Sequence, residues 1–149
     1  FYANETFDGA PARVRDDPAV MFHFHWFEDG ITQPFSADWM SFLEAPRDGT
    51  YRFELFSSGP ALLVIDGKPV LSHSAFEYLE PEKGAIELGR GRHTVVVRFL
   101  NHSWSSTIRL WWHPPGGRRQ VIPLELLTRP TEAEYEAVRP SLPKPERKP

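Results

Sequence analysis

Asn101-His102-Ser103-Trp104-Ser105 brings an amide, an imidazole, hydroxyls and an indole into one short polar stretch. An exposed indole offers an apolar face on which a sugar ring can stack, while Asn101, His102 and Ser103 can form directional hydrogen bonds with its hydroxyls. Ser57-Ser58, just before Gly59-Pro60, are a second pair of hydroxyls at a junction between two apolar segments. These six residues, Trp104, Asn101, His102, Ser103, Ser57 and Ser58, are the ligand-binding candidates. The structural alternative for Trp104 is packing over the end of a sheet.

Other chemistry finds less support. Of the six histidines, His23 and His25 flank Phe24 and can share one strand face, but no third ligand stands at a zinc-site spacing. No glycine-framed nucleophile elbow surrounds the serines near His102. Glu54, Asp66, Glu77 and Glu80 are carboxylates with no pairing that the sequence defines. Gly89-Arg90-Gly91-Arg92 is a basic turn with no following helix, which reads as an exposed hairpin turn and not a phosphate cradle. No catalytic or metal-binding residue is therefore nominated. The domain is not expected to be an enzyme, although a parent protein can be one, such as a glycosidase or glycosyltransferase.

The elements that must position these groups are short and punctuated by glycine. Tyr51, Phe53 and Leu55 alternate with Thr50, Arg52 and Glu54, the period of a half-buried strand. Ile108, Leu110 and Trp112 alternate with Thr107, Arg109 and Trp111 in the same way. Further strands are expected near 20–26, 35–43, 61–65, 69–72, 85–88, 93–100 and 119–122. Asp66-Gly67 tolerates the positive dihedrals of a tight mirror-image turn and predicts a hairpin of Leu62–Ile65 with Lys68–Leu71, with Pro69 consigning its second arm to an edge. A second pairing is expected between 93–99 and 106–112 through the loop 100–105. Trp39, Phe53, Phe99 and Trp112 read as core, and Trp26 and Trp111 as candidate surface aromatics. The pattern is all-β, an antiparallel β-sandwich or barrel-like module.

After Thr128 the chain becomes rich in proline and charge. Thr131 and Glu134 can cap one another at the start of a short helix through Val138, and the sequence from Pro140 reads as an extended linker. The expected division is a β domain over 1–128 and a tail or interdomain linker over 129–149. Seventeen basic and 20 acidic residues give a net charge of −3, which offers no general attraction to phosphate backbones, and nucleic acid is not expected as a partner. There is no cysteine, and no apolar stretch reaches the length of a membrane-spanning helix. A chain that opens on Phe1 is expected to be processed or excised from a larger protein.

Read in order, these segments resemble the PA-fourteen domain family, named for a module of anthrax protective antigen. The resemblance runs through Tyr2-Ala3-Asn4, Phe7-Asp8-Gly9, Arg15-Asp16-Asp17-Pro18 and Phe35-Ser36-Ala37-Asp38-Trp39. It continues through Gly49-Thr50-Tyr51-Arg52-Phe53, Leu63-Val64-Ile65-Asp66-Gly67, Gly91-Arg92-His93-Thr94-Val95 and Ile108-Arg109-Leu110-Trp111-Trp112, and closes at Ile122-Pro123. It implies a β-sandwich embedded in extracytoplasmic glycosidases, adhesins or toxins and, in several members, a carbohydrate-binding role. The sugar-binding adhesin branch places two adjacent aspartates, joined by a cis peptide, after the strand matching Tyr51 to Phe56, where they hold calcium. Here Ser57-Ser58-Gly59-Pro60 stands at that place, which removes two negative charges. Asp16-Asp17 lies elsewhere and reads as a turn, and Ser41 replaces a frequent glycine.

The resulting expectation is an accessory carbohydrate-recognition module of a larger extracytoplasmic or cell-surface protein. It needs no cofactor, and calcium is not expected. Its partner is a glycan or the neighbouring domain. The alternative is a non-catalytic structural or protein-interaction module that orients a catalytic or membrane neighbour.

Overall fold

The computed structural model describes residues 1–25, 30–77 and 80–148, with His25 described by its backbone alone. Trp26 lies outside the described residues, as does the side chain of His25. The strands are β1 (Met21–His25), β2 (Phe35–Ala45), β3 (Gly49–Ser57), β4 (Ala61–Ile65), β5 (Lys68–His73), β6 (Glu82–Leu88), β7 (Gly91–Asn101), β8 (Ser105–His113) and the short β9 (Leu127–Thr128). An α-helix, α1 (Glu132–Val138), follows them and runs into a 3-10 turn over Arg139–Ser141. Two antiparallel sheets form a sandwich, in the orders β1-β8-β3-β6 and β5-β4-β7-β2-β9.

Alternation decides which side chains fill the space between the sheets. Tyr51, Phe53 and Leu55 of β3 are buried between exposed or half-buried neighbours, and Ile108, Leu110 and Trp112 of β8 join them. Phe99 from β7 and Leu63 from β4 meet them from the facing sheet. Removing this apolar area from water drives the two layers together. Trp39 is half-buried against the cluster, and Trp111 lies outward beneath the Arg119 guanidinium.

Asp66 and Gly67 both have positive φ, 49° and 75°, and the β4–β5 hairpin forms as expected. Pro69 sits on β5, an edge strand, and the register slips beside it between Leu63 and Val64. The expected pairing of 93–99 with 106–112 is not formed. β7 pairs with β2 and β4, whereas β8 pairs with β1 and β3 in the other sheet. Each strand carries a buried apolar face, and those faces meet across the core instead of lying side by side. The Gly89–Arg92 turn is likewise a crossing between sheets, from β6 to β7, and not a hairpin. Residues 119–122 form no strand beyond a bridge from Gln120 to Trp112.

The outer face of the five-stranded sheet has its own apolar cluster of Leu62, Val64 and Val96, covered by Leu142 and Val138 from the C-terminal segment. The capping box of α1 is complete: Thr131 accepts from Glu134 N–H, and Glu134 accepts from Thr131 N–H. Beneath the segment lies an ion pair between Arg98 and Asp38, both at least 98% buried, with Nε–Oδ1 at 2.8 Å. Arg98 Nη1 also donates to the carbonyls of Leu142 and Pro143, each at 3.1 Å. Tyr135 donates its phenolic proton to Asp38 at 2.7 Å. Past Ser141 the described residues have no regular structure, and through Lys148 the backbone lies on the sandwich.

Candidate functional site

Strand ends gather the sequence candidates at one end of the sandwich. β3 ends at Ser57, β4 begins at Ala61, β7 ends at Asn101 and β8 begins at Ser105. The link from β3 to β4 passes from one sheet to the other, so Ser57-Ser58-Gly59-Pro60 closes this end of the core. Its backbone runs tightly against β7, because a Cβ on Gly59 would stand 2.3 Å from the Leu100 carbonyl oxygen.

Ser57 and Ser58 are buried, and both hydroxyls are turned to the backbone. Ser57 Oγ donates to the Gly59 carbonyl at 2.6 Å, and Ser58 Oγ accepts from Thr107 N–H at 2.8 Å. With Ser58 N–H donating to the Thr107 carbonyl at 2.9 Å, the pair extends the link between β3 and β8. Both side chains are buried, and their hydroxyls are committed to backbone partners where the chain closes the core. Asn101 is also buried, and its Oδ1 accepts from Ser103 N–H at 3.0 Å, which fixes the turn of the next loop.

The remaining three candidates lie in that loop. Trp104 is 65% exposed. Ser103 Oγ donates to the Ser105 carbonyl at 3.0 Å, and the Ser105 hydroxyl lies 3.3 Å from His23 Nε2 on β1. His23 Nδ1 contacts the Thr107 hydroxyl, so this imidazole bridges two side chains of β8. His102 is half-exposed, pairs through Nδ1 with the Glu5 carboxylate and sets its ring edge-on to Phe76 at 5.1 Å. Glu5 and Phe76 escape sequence reading, since each is remote from residue 102 along the chain and only the fold brings them beside it.

The donor set at the β3–β4 junction does not fit calcium. It offers neutral hydroxyls already committed to backbone partners, where a calcium site needs several free oxygens and usually carboxylates. Among the described residues, no three His, Cys, Asp or Glu side chains are grouped to hold a metal. Asp16 and Asp17, the neighbouring acidic pair, are engaged elsewhere. Asp17 accepts from the Trp39 indole at 2.8 Å and pairs with Arg15, and Asp16 pairs with Arg129.

The model of the PA14 domain family matches residues 1–126. The chain belongs to the PA14 domain family. No curated protein matches the sequence. Among solved structures, this PA14 domain is similar to an anti-sigma factor domain-containing protein from Clostridium clariflavum, at 20% identity and a TM-score of 0.66 over 79% of this chain and 42% of that one. It is similar to the PA14 sugar-binding domain from an RTX adhesin, at 16% identity and a TM-score of 0.54, over 64% and 54% of the two chains. It is also similar to a β-glucosidase from Kluyveromyces marxianus in complex with glucose, at 16% identity and a TM-score of 0.60, over 73% of this chain but 14% of the enzyme. At these identities the likeness is one of fold. The PA14 domain spans less than two thirds of each of these relatives.

Proposed function

We propose that this PA14 domain is an accessory carbohydrate-recognition module of a larger extracytoplasmic protein, carbohydrate-active or displayed at a cell surface, and that it recognises its glycan without catalysis and without calcium. The observation that carries this reading is Trp104, 65% exposed on a loop whose turn is fixed by the buried Asn101 and whose neighbours are hydroxyl and imidazole groups. An exposed indole presents an apolar face on which the C–H face of a sugar ring can stack. The names of the adhesin and glucosidase relatives lend support, as does the placement of Trp104 at the sandwich end where the chain crosses between sheets. Independence from calcium is inferred from the neutral, committed donors at Ser57 and Ser58.

A glycan array probed with this domain and with its parent protein, each with and without chelator, tests the proposal. Binding that survives chelation is the expected result, and failure of both proteins to bind any glycan would sink it.

The second reading, a module that orients a neighbouring catalytic or membrane domain, is supported by the C-terminal segment. Its anchorage on Arg98 holds the chain against the sandwich, so a domain attached beyond it would be held close and not tethered loosely. No helix among the described residues is long and apolar enough to cross a membrane.

A further inference from the structure

On the flank of the candidate loop, a cleft of about 520 Å³ opens between the end of β5, the start of β6 and the C-terminal segment. His73, Ser74, Phe76, Glu77 and Glu82 line it from the sandwich, and Lys148 lines it from the tail. We propose that this cleft binds a single neutral sugar ring, and that the C-terminal segment, which lies outside the 1–126 family match, completes the site. The inference rests on the reading of the domain as a carbohydrate binder and adds a place and a composition that the exposed loop does not supply.

The chemistry of the walls selects the ligand. Phe76 is 40% exposed and presents an aromatic surface to the C–H face of a ring. Glu77 and Glu82 are acceptors, the Lys148 ammonium is a donor, and sugar hydroxyls serve both. An anion would face two carboxylates and a hydrocarbon would strip water from them, whereas a neutral polyol pairs with both signs. His73 is 98% buried; its Nδ1 lies 3.5 Å from Glu82 Oε1, and its Nε2 has no hydrogen-bond partner among the described residues. The buried His73 ring forms the floor of the cleft and holds the Glu82 carboxylate at its rim.

The tail is placed for this role by contacts along its length. Arg98 fixes Leu142 and Pro143, Pro145 is buried, Arg147 Nη2 donates to the Glu5 carbonyl at 3.2 Å, and Lys148 N–H donates to the Ser74 carbonyl at 3.0 Å. Glu5 also pairs with His102, whose ring meets Phe76. The cleft thus adjoins the Trp104 loop through the contact of His102 with Phe76.

The test is an amide chemical-shift titration of the full ¹⁵N-labelled chain with glucose, galactose, mannose and N-acetylglucosamine in turn. The expected result is that at least one of them moves Ser74, Phe76, Glu82 and Lys148 and saturates at millimolar concentration. Phe76→Ala should lower affinity roughly five- to tenfold, and Glu82→Gln and Lys148→Glu should also weaken it. Trp104→Ala should leave the cleft shifts in place, and unchanged core amides such as Leu55 and Val97 would show that each variant is folded. Shifts confined to 101–105 would overturn the cleft while leaving the sugar-binding reading standing. No shift with any sugar, together with a blank glycan array, would remove both. Unchanged affinity in Phe76→Ala and Glu82→Gln would likewise overturn the cleft.

Discussion

Arg98 and Asp38 stand opposite one another on β7 and β2 as a buried, doubly hydrogen-bonded ion pair, with Nε–Oδ1 at 2.8 Å and Nη2–Oδ2 at 3.1 Å. They lie on the outer face of their sheet, the side that a bare sandwich would leave in water, and are dry because the C-terminal segment covers them. Arg98 uses a further nitrogen on two tail carbonyls and lays its guanidinium over Phe7 at 4.0 Å. The pair therefore ties the tail, the sheet and the N-terminal segment into one unit.

Breaking this pair from one side should be costly. Arg98→Met leaves the Asp38 carboxylate buried with Tyr135 as its remaining side-chain donor among the described residues, and the expected loss is about 3–5 kcal/mol in urea denaturation. Limited proteolysis of the variant should cut the chain after Thr128 faster than in the parent. A loss below about 1 kcal/mol would mean that the pair is solvated and the tail loosely held.

Gly59 and Gly67 make a matched pair of tests. Gly59→Ala drives a Cβ to 2.3 Å from a backbone oxygen of β7, which rigid strands cannot relieve, and about 3 kcal/mol or more should be lost. A Cβ on Gly67 would meet nothing within 4 Å, so Gly67→Val is penalised chiefly for its φ of +75°, about 1–2 kcal/mol. Thermal unfolding of the two variants should rank them in that order, and equal losses would contradict the tight crossing at the β3–β4 junction.

Trp104→Ala should separate recognition from folding. With so exposed an indole, the change in stability should stay within about 0.5 kcal/mol, while glycan binding by the domain falls. Chelation should leave binding by the parent domain unchanged. A glycan affinity unaltered by the substitution would remove Trp104 from the site.

His93 should give stability a signed pH dependence. Burial pushes its imidazole pKa down, but hydrogen bonds to the Asp66 carboxylate, at 2.6 Å, and to the Gly89 carbonyl, at 2.7 Å, outweigh it and raise the pKa above its ordinary value. The folded state therefore holds the proton more tightly than the unfolded chain. The resulting stabilisation is complete below the unfolded pKa of about 6.5 and is lost as pH rises through the higher folded value. Comparison of the parent with His93→Gln across about pH 5 to 9 should show this excess stability shrinking on the alkaline side, and a parallel pair of profiles would refute it.

Local patterns carried much of this fold into the sequence. The alternation of Tyr51-Phe53-Leu55, the Asp66-Gly67 turn, the edge placement of Pro69 and the Thr131–Glu134 cap all act within a few residues, and all are present. Partnership between strands is a choice made over long separations, which is why β7 and β8 were legible as strands but not as members of opposite sheets. The candidate loop was legible in its chemistry, and Trp104 is exposed. The inward turn of Ser58 was not, because it depends on Thr107, 49 residues away. One signal for the docked tail did stand in the sequence. Ala61–Ile65 and Val95–Val97 are apolar without alternation, and a strand with two apolar faces requires cover on both.

The stitching of the two chain ends bears on how the domain is made. Tyr2 meets Tyr135 across 133 residues of chain, and Arg147 meets Glu5 across 142. During synthesis the strands can pair as they leave the ribosome, but the outer face of the β4–β7 layer stays uncovered until Val138 and Leu142 have emerged. For that interval Leu62, Val64 and Val96 form a sticky patch on a nascent polypeptide, and a chaperone that binds apolar strands has its clearest target there.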